Sequence, residues 1–544
     1  MQFYQQFCEE TFGPDGSLTG FRVKCAENYN FGYDVVDAIA ARDPEKRAVV
    51  WCNPDGPERI FTFEDIRRLS NQAANVFRAQ GIGRGDKVMV VLKRHYEYWF
   101  VSIALHKLGA VLVPVTHMLT ADDLAYRVDL AHIKAAVCTP EGPVCDNLLE
   151  VRARCPSLEH LWVAQADREG FHNLTSEMSA APDALERQET LAAEPMILYF
   201  TSGTTGYPKA VMHDHTYSLA HILTAKYWQQ VQDGGLHFTV AETGWGKASW
   251  GKLYGQWLCG SAVMVFDFDN FDPRQLMAVI NRYAVTTFCA PPTVYRYFVK
   301  KGIAEMPSLV HATTAGEALS PEIFRQFQAK TGIPLMEGFG QTESTLILAN
   351  LAGSTPKPGA MGRPTPLYHV ELLKDDGSYA GPGEVGEIVV VPPEDGGQHG
   401  IFMGYCDNDA LYRYVWRGGV YHTGDTAWKD EDGDYWYNGR IDDIIKTGGF
   451  RVGPYEIEDV LMEHPAVLEC SVVGVPDELR GQAIKAFVVL APTYEPAAEL
   501  KRELRENTNE QLAQYKWIRT LEFVEELPKT ISGKIRKVEL RSET

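Results

Sequence analysis

The sequence predicts an α/β protein: a large N-terminal body of several subdomains, with doubly wound sheets and a small β-rich subdomain, followed by a small α+β C-terminal domain. Three observations lead there. Between Tyr33 and Gly260, β-prone apolar runs alternate with helical patterns; after Gly359 the chain turns to short, glycine-punctuated strands; beyond Gly439 it settles into a helix-strand-strand-helix-strand order. At 544 residues it also exceeds what one hydrophobic core usually supports, so more than one unit is required.

The elements follow in order. Residues 48–51 and 61–63 read as strands, 65–80 as a helix, and 87–92, 110–115 and 135–138 as strands of the first wound portion. Residues 262–266 and 286–289 continue the pattern, and 383–391 carry the β-rich texture into a polar loop at 395–398. The last unit reads as helix 454–463, strands 467–473 and 483–490, helix 497–514 and strand 520–524. Its length of about 100 residues is ordinary for a domain. The boundary is expected at 440–443, dividing the chain into 1–440 and 441–544.

Composition narrows the function. Apolar residues make up 45% and charged residues 23%, ordinary values for a globular protein. No run of 18 apolar residues exists, so no integral membrane segment is expected. A formal net charge of -20 opposes binding to nucleic acid or anionic membranes. The segment 511–544 runs the other way, with seven Lys/Arg against five Asp/Glu, and is a place to meet an anionic ligand. Ten cysteines without a CxxC pair read as reduced core thiols. The opening residues, with Glu9-Glu10 and no basic or apolar region, resemble neither a signal nor a transit peptide, so the cytoplasm is the expected compartment. His213-Asp214-His215 lacks further ligands at supporting spacing and is not read as a zinc site.

The strongest local signal is Tyr199-Phe200-Thr201-Ser202-Gly203-Thr204-Thr205-Gly206-Tyr207-Pro208-Lys209. Glycines let backbone N–H groups curl around phosphate oxygens, hydroxyls add donors, and a lysine adds charge. The spacing is not that of a P-loop NTPase, and the apolar Ala210-Val211-Met212 that follows implies strand-loop-strand.

With this loop begins a resemblance to the adenylate-forming superfamily (acyl-CoA synthetases, luciferases and peptide-synthetase adenylation domains), covering about Tyr33 to Lys537. Four further motifs follow in that superfamily's order. Glu337-Gly338-Phe339-Gly340-Gln341-Thr342-Glu343 resembles its adenine and metal motif, Tyr421-His422-Thr423-Gly424-Asp425 its ribose motif, Gly439-Arg440-Ile441-Asp442-Asp443 through Gly448-Gly449-Phe450-Arg451 its hinge region, and Pro528-Lys529-Thr530-Ile531-Ser532-Gly533-Lys534 its catalytic-lysine motif. Phe339 departs from the common tyrosine, which is tolerable if the ring only stacks on adenine.

The resemblance implies ATP, Mg2+ and coenzyme A, and a small-molecule carboxylic acid as partner. A carboxylate attacking the α-phosphate of ATP brings anion to anion, so cations and oriented donors are needed there. Lys534 would bridge the acid and the α-phosphate; Thr204 and Glu343 would hold Mg2+ as hard oxygen ligands. Asp425 would take the ribose hydroxyls, with Arg440 as a cation beside the nucleotide. Asp442 would be the hinge of a mobile C-terminal domain that exchanges Lys534 for the Gly448-Gly449-Phe450 loop, where paired glycines allow close approach of a pantetheine arm. Arg451, Arg480, Lys516 and Arg519 are candidates for the phosphates of coenzyme A.

Within the superfamily, Glu242-Thr243-Gly244-Trp245-Gly246-Lys247-Ala248-Ser249-Trp250-Gly251 looks most like medium-chain acyl-CoA synthetases. Trp245, Lys247, Trp250 and Cys289 would line the acyl pocket. Gly340 stands where strict acetate enzymes carry tryptophan, implying a larger acid, while the two tryptophans argue against a very long tunnel. Short- to medium-chain acids, straight or branched, are expected, with an aryl acid as the alternative. The rival readings are loading of a carrier protein, luciferase-type oxygenation, and nucleotide binding without ligation. A substrate amine would need a carboxylate in the pocket that the sequence does not offer, and the third rival would be favoured by loss of Lys534, Glu343 or Asp425, all present.

Overall fold

The computed structural model describes the chain apart from residues 1, 55, 57, 202–207, 395, 396, 398, 531–533, 543 and 544. Its first large sheet runs in the spatial order Gly404–Tyr405, Lys209–Asp214, Pro195–Thr201, Val111–Pro114, Lys87–Val91, Ala135–Cys138, His160–Val163, His172–Asn173. From Pro195–Thr201 onward neighbouring strands are parallel, and the other two pair antiparallel at the edge. These strands are continuous apolar runs because helices cover both faces; Val88 to Leu92 are fully buried.

The second sheet has a parallel core of Arg47–Cys52, Ala262–Phe266, Leu236–Thr239, Thr287–Ala290, His311–Thr314 and Leu335–Gly340. It continues without a break through the antiparallel strands Leu346–Ala349, Ala360–Pro364, Tyr435–Arg440, Tyr421–Lys429, Val385–Val391 and His369–Leu373. The β-rich subdomain thus has a core of its own around Ile388, Val390 and Tyr421, yet is hydrogen-bonded onto the second wound sheet. That junction carries the 337–343 motif from one sheet region into the other.

A third, smaller sheet pairs Phe450–Val452, Ile445–Thr447, Gly481–Leu490 and Val467–Asp477, with Thr520–Phe523 parallel to Gly481–Leu490. It is closed by helices Pro454–Met462 and Ala498–Glu510 over a separate core that includes Ile457, Leu461, Val472 and Leu504. The second helix is shorter than the periodicity suggests. Near its end the Thr508 hydroxyl turns back onto the Leu504 carbonyl at 2.7 Å, and Asn509 ties both amide ends to the Ile518 backbone at 2.8 and 3.2 Å. Such local side-chain bonds compete with continued helix. Conversely, the first long helix starts early, at Phe63, because Thr62 caps it through the Asp65 amide while Asp65 answers the Thr62 amide.

The segment 242–251, which follows the carboxyl end of Leu236–Thr239 in the second parallel core, meets the backbone just past the carboxyl end of Val111–Pro114 in the first; carboxyl ends of strands are the usual ligand position in wound sheets. Gly244 sets how closely the two meet. A Cβ there would lie 2.4 Å from Thr116 N and from Val115 C, backbone atoms at the end of Val111–Pro114. The 242–251 segment can therefore sit on the first sheet's edge only with glycine at this position. Among the described residues no helix is long and apolar enough to cross a membrane, and all ten cysteines are free thiols.

Gly244→Ala is expected to destabilise the fold by about 1–3 kcal/mol through backbone overpacking, read as a lowered denaturant midpoint in equilibrium unfolding.

Candidate active site

Asp425 and Arg440 are opposed in register on the antiparallel strands Tyr421–Lys429 and Tyr435–Arg440. The Asp425 carboxylate is buried and accepts through Oδ2 from Arg440 Nη1 at 3.0 Å and Gln341 Nε2 at 2.5 Å, and through Oδ1 from the Tyr437 hydroxyl at 3.0 Å. Burial alone would pull the Arg440 guanidinium down; the Asp425 carboxylate beside it outweighs burial and holds it above its ordinary range. Gln341 spans the site, donating also to the Thr423 carbonyl at 2.8 Å and accepting from the Tyr421 hydroxyl at 2.7 Å. Three motifs distant in sequence thus share one hydrogen-bond network. Oδ1, with a single protein donor, keeps acceptor capacity for a diol.

Glu343 follows the strand Leu335–Gly340 and is held by a residue outside every motif. The Tyr405 hydroxyl donates to Glu343 Oε1 at 2.9 Å, and Phe402 N donates to the Glu343 carbonyl at 2.7 Å. Burial and then the Glu343 carboxylate push the Tyr405 hydroxyl up, so it remains a donor. The Lys209 ammonium lies 5.8 Å from the Tyr405 ring centroid. Nothing in Ile401-Phe402-Met403-Gly404-Tyr405 marks this tyrosine in the sequence; strand pairing of Tyr405 with Val211 brings it there. Thr201 and Lys209 face each other at the ends of an antiparallel pair, the expected strand-loop-strand. Ser202, Gly203, Thr204, Thr205 and Gly206 lie outside the described residues.

The remaining members of the 337–343 motif divide by direction. Phe339 presents a half-buried ring 6.5 Å from Tyr437, beside Asp425. Gly338 packs against Trp228 and Leu346, where a Cβ would have under 3 Å of room. Thr342 gives its carbonyl to His213 Nε2 at 2.7 Å. Glu337 points elsewhere: it is buried, accepts from Leu319 N at 3.3 Å through Oε1, and its Oε2 has no hydrogen-bond partner.

In the acyl region, Cys289 is a buried thiol in register between Thr239 and Thr313. Lys247 donates to the Ala315 carbonyl at 2.6 Å. Desolvation holds the Lys247 ammonium below its ordinary value; Cys289 and Glu317 oppose that, and the Lys534 ammonium reinforces it. Lys534 is therefore within electrostatic reach of Lys247, and its carbonyl accepts from Thr530 N at 2.7 Å. Trp245 is half-buried at the start of helix Gly246–Gly251, and Trp250 is buried at its end. A Cβ on Gly340 would meet Trp250 Cη2 at 2.5 Å. The room opened by glycine at 340 is filled by this indole from another element.

The coenzyme A candidates gather at one edge of the small sheet. Gly448 and Gly449, both with positive φ, turn the hairpin between Ile445–Thr447 and Phe450–Val452, and Gly448 N donates to the Arg480 carbonyl at 2.9 Å. Phe450 is 51% exposed and stacks on Tyr515 at 4.4 Å between centroids; Tyr515 had no sequence signal. Lys516 lies against the Tyr515 ring and bonds Glu456 at 2.5 Å, Arg451 pairs with Asp375, and Arg519 packs on Trp517. Asp442 sits in the turn Ile441–Asp443 between the two units, 3.9 Å from Arg440 Nη2.

A family model described as AMP-binding enzyme matches residues 36–406, and one described as AMP-binding enzyme C-terminal domain matches 456–534. Acyl-coenzyme A synthetase ACSM3, mitochondrial, of Rattus norvegicus is 37% identical over 96% of this chain and 91% of its own. Acyl-coenzyme A synthetase ACSM4, mitochondrial, of Homo sapiens is 38% identical over 95% and 91%. The crystal structure of the anthranilate CoA ligase AuaEII with anthranoyl-AMP superposes with a TM-score of 0.87 at 28% identity, covering 95% of this chain and 98% of that one.

Glu337 lies at the seam with helix Pro454–Met462. The Tyr455 hydroxyl of that helix donates to the Leu319 carbonyl at 3.3 Å, and Asp459 stands near enough to act on Glu337. Burial, with a contribution from Asp459, pushes the Glu337 carboxyl up to about 8; burial and then Glu463 push Asp459 up to about 6, against the Ser320 hydroxyl and Arg325. A carboxyl raised on folding stabilises most below its unfolded value and loses that contribution as pH rises through its folded value. The seam is accordingly expected to weaken between about pH 4.5 and 8, by at most about 1.4 kcal/mol per pH unit for Glu337. Glu337→Gln should flatten the fall of the thermal midpoint across that window, measured by calorimetry.

Proposed function

Because the chain belongs to the AMP-binding enzyme family, we propose that these residues carry out a two-step ligation. The chain is an acyl-CoA synthetase, an AMP-forming acid–thiol ligase using ATP with coenzyme A as co-substrate. In the first step the acid's carboxylate attacks the α-phosphorus of ATP and pyrophosphate leaves; in the second the thiol attacks the acyl carbonyl and AMP leaves.

The observation that carries the assignment of residues is the network in which Arg440, Gln341 and Tyr437 meet the buried Asp425, with Glu343, two residues beyond Gln341, held by Tyr405; the Lys534 ammonium in addition acts on that of Lys247. Two ammonium groups that repel one another mark a place for an anion, and a carboxylate arriving between them relieves the repulsion while Lys534 meets the α-phosphate. Asp425 and Arg440 hold the ribose. Glu343, a hard carboxylate with one oxygen held by Tyr405 and the other open, fits Mg2+ arriving on the phosphates, with Thr204 as its companion; the cation would neutralise phosphate charge. The loop 448–450 takes the place of Lys534 in the second step by rotation at Asp442, with the domain boundary at 440/441. Phe450 and Gly448-Gly449, exposed here, would then border the pantetheine arm. Arg451, Arg480 and Lys516 would meet coenzyme A phosphates after releasing Asp375, Asp477 and Glu456, and Arg519 after leaving the Trp517 ring.

The substrate is a short- to medium-chain acid, straight or branched. Trp250 is read as the floor of the pocket, its indole filling the room that glycine leaves at 340, which argues against a long chain. An aryl acid is the second reading, favoured by the likeness to an anthranilate CoA ligase. The ten free thiols fit a reducing compartment, proposed as the cytoplasm; the relatives are named mitochondrial, also a reducing setting.

Pyrophosphate release with ATP and Mg2+, across acids from acetate to decanoate, branched acids and benzoate, with and without coenzyme A, tests the reading. Lys534→Ala is expected to lower adenylation about 100-fold or more while sparing thioester formation from supplied acyl-adenylate; equal loss of both steps overturns its role. Trp250→Ala is expected to move the preferred acid to longer chains, and an unchanged profile removes Trp250 from the pocket.

A further inference from the structure

His213 has no metal role, yet it is built into the machinery just described. It lies on Lys209–Asp214, the strand leaving the phosphate loop, and is fully buried. Its Nε2 is 2.7 Å from the Thr342 carbonyl oxygen, which can only accept, so the imidazole donates through Nε2–H. Nδ1 is then the bare nitrogen, buried without a partner. The ring cannot turn to use it: it stacks on Tyr217 at 3.9 Å, Tyr217 meets His221 edge-on at 4.5 Å, and His221 is backed by Trp250 at 6.1 Å. Burial lowers His213 to about 4, keeping it neutral and in this tautomer at neutral pH.

The Thr342 carbonyl belongs to the peptide whose N–H is that of Glu343, and a planar peptide held at its oxygen is held as a plane. The other ties on Glu343 are the Tyr405 hydroxyl on Oε1 and Phe402 N on its carbonyl. The peptide before Glu343, the peptide after it and one side-chain oxygen are thus each clamped, and among the described residues no hydrogen bond is made to Oε2.

We propose that His213 is a positioning residue for adenylation, its Nε2–H fixing the Thr342–Glu343 peptide so that the open oxygen of Glu343 is aimed at the cation borne by ATP. This rests on the reading of Glu343 given above. His213 touches neither nucleotide nor acid, and its effect passes wholly through Glu343.

The test measures adenylation against Mg2+ concentration at fixed ATP and, separately, thioester formation from supplied acyl-adenylate and coenzyme A, on the full chain. His213→Ala is expected to raise the Mg2+ needed for half-maximal adenylation about tenfold or more, with a 10- to 100-fold lower adenylation rate, as removal of an outer partner of a metal ligand does, and to leave the thioester step unchanged. His213→Gln, whose amide nitrogen reaches as far as Nε2, should restore most of both; His213→Asn, which reaches only as far as Nδ1, should not. Should the alanine variant fail to fold, the Gln and Asn pair carries the test. An unchanged Mg2+ dependence, or equal loss in both steps, overturns the proposal. Glu343→Gln separates the two readings: if it leaves the Mg2+ dependence unmoved, the role of Glu343 fails; if it shifts that dependence and His213→Ala does not, only the role of His213 fails.

Discussion

The buried carboxylate of Asp425 is the constraint from which the rest of the site follows. A charge removed from water must be met by donors or it destabilises the fold. Asp425 meets Arg440 from the next strand, Tyr437 from the same strand and Gln341 from the end of the second parallel core. Satisfying one carboxylate therefore sets the register of Tyr421–Lys429 against Tyr435–Arg440 and locks the 337–343 segment onto both. Glu343 inherits its position from that lock, and Arg440 leads directly into the turn that joins the two units.

Around this polar knot the apolar architecture is set by close approach between segments. The 242–251 segment bridges the two sheets because Gly244 lets it touch the backbone after Val111–Pro114. Once docked, it delivers Lys247 to the Ala315 carbonyl and the Trp250 indole to Gly340. One short segment thus sets both the Lys247 ammonium and the Trp250 indole in place. The seam of the C-terminal unit with the body buries the carboxyl groups of Glu337 and Asp459, a contact that protonation strengthens.

The comparison of sequence with structure is instructive at particular residues. The strands 87–92 and 135–138 were legible because apolar runs buried on both faces need no distant information, and Thr201 and Lys209 flank their loop as the residues themselves suggest. The helix beginning at Phe63 and the one ending at Glu510 differ from periodicity by a few residues, because side-chain caps at Thr62 and Asn509 decide ends that a hydrophobic repeat does not register. Tyr405 escaped notice because its role comes from pairing with a strand nearly two hundred residues earlier. Glu337 was grouped with the adenine motif by its neighbours in sequence, whereas the fold buries its side chain against the Leu319 backbone, beside the helix Pro454–Met462.

By itself, the sequence determined the chemistry on offer: which segments are strands, where hydroxyls and glycines gather for phosphate, and which carboxylates, lysines and arginines exist to serve an adenylate. Those are local properties, written in residue type and spacing. Only the tertiary structure decided which of them meet. That Gln341 answers Asp425, that Tyr405 holds Glu343 while His213 holds the Thr342 carbonyl before it, and that Trp250 occupies the space Gly340 leaves are facts of packing between distant segments. Their cause is physical: buried polar groups and close-packed side chains are satisfied by whatever the fold brings within reach, and reach in space is not written in neighbouring letters.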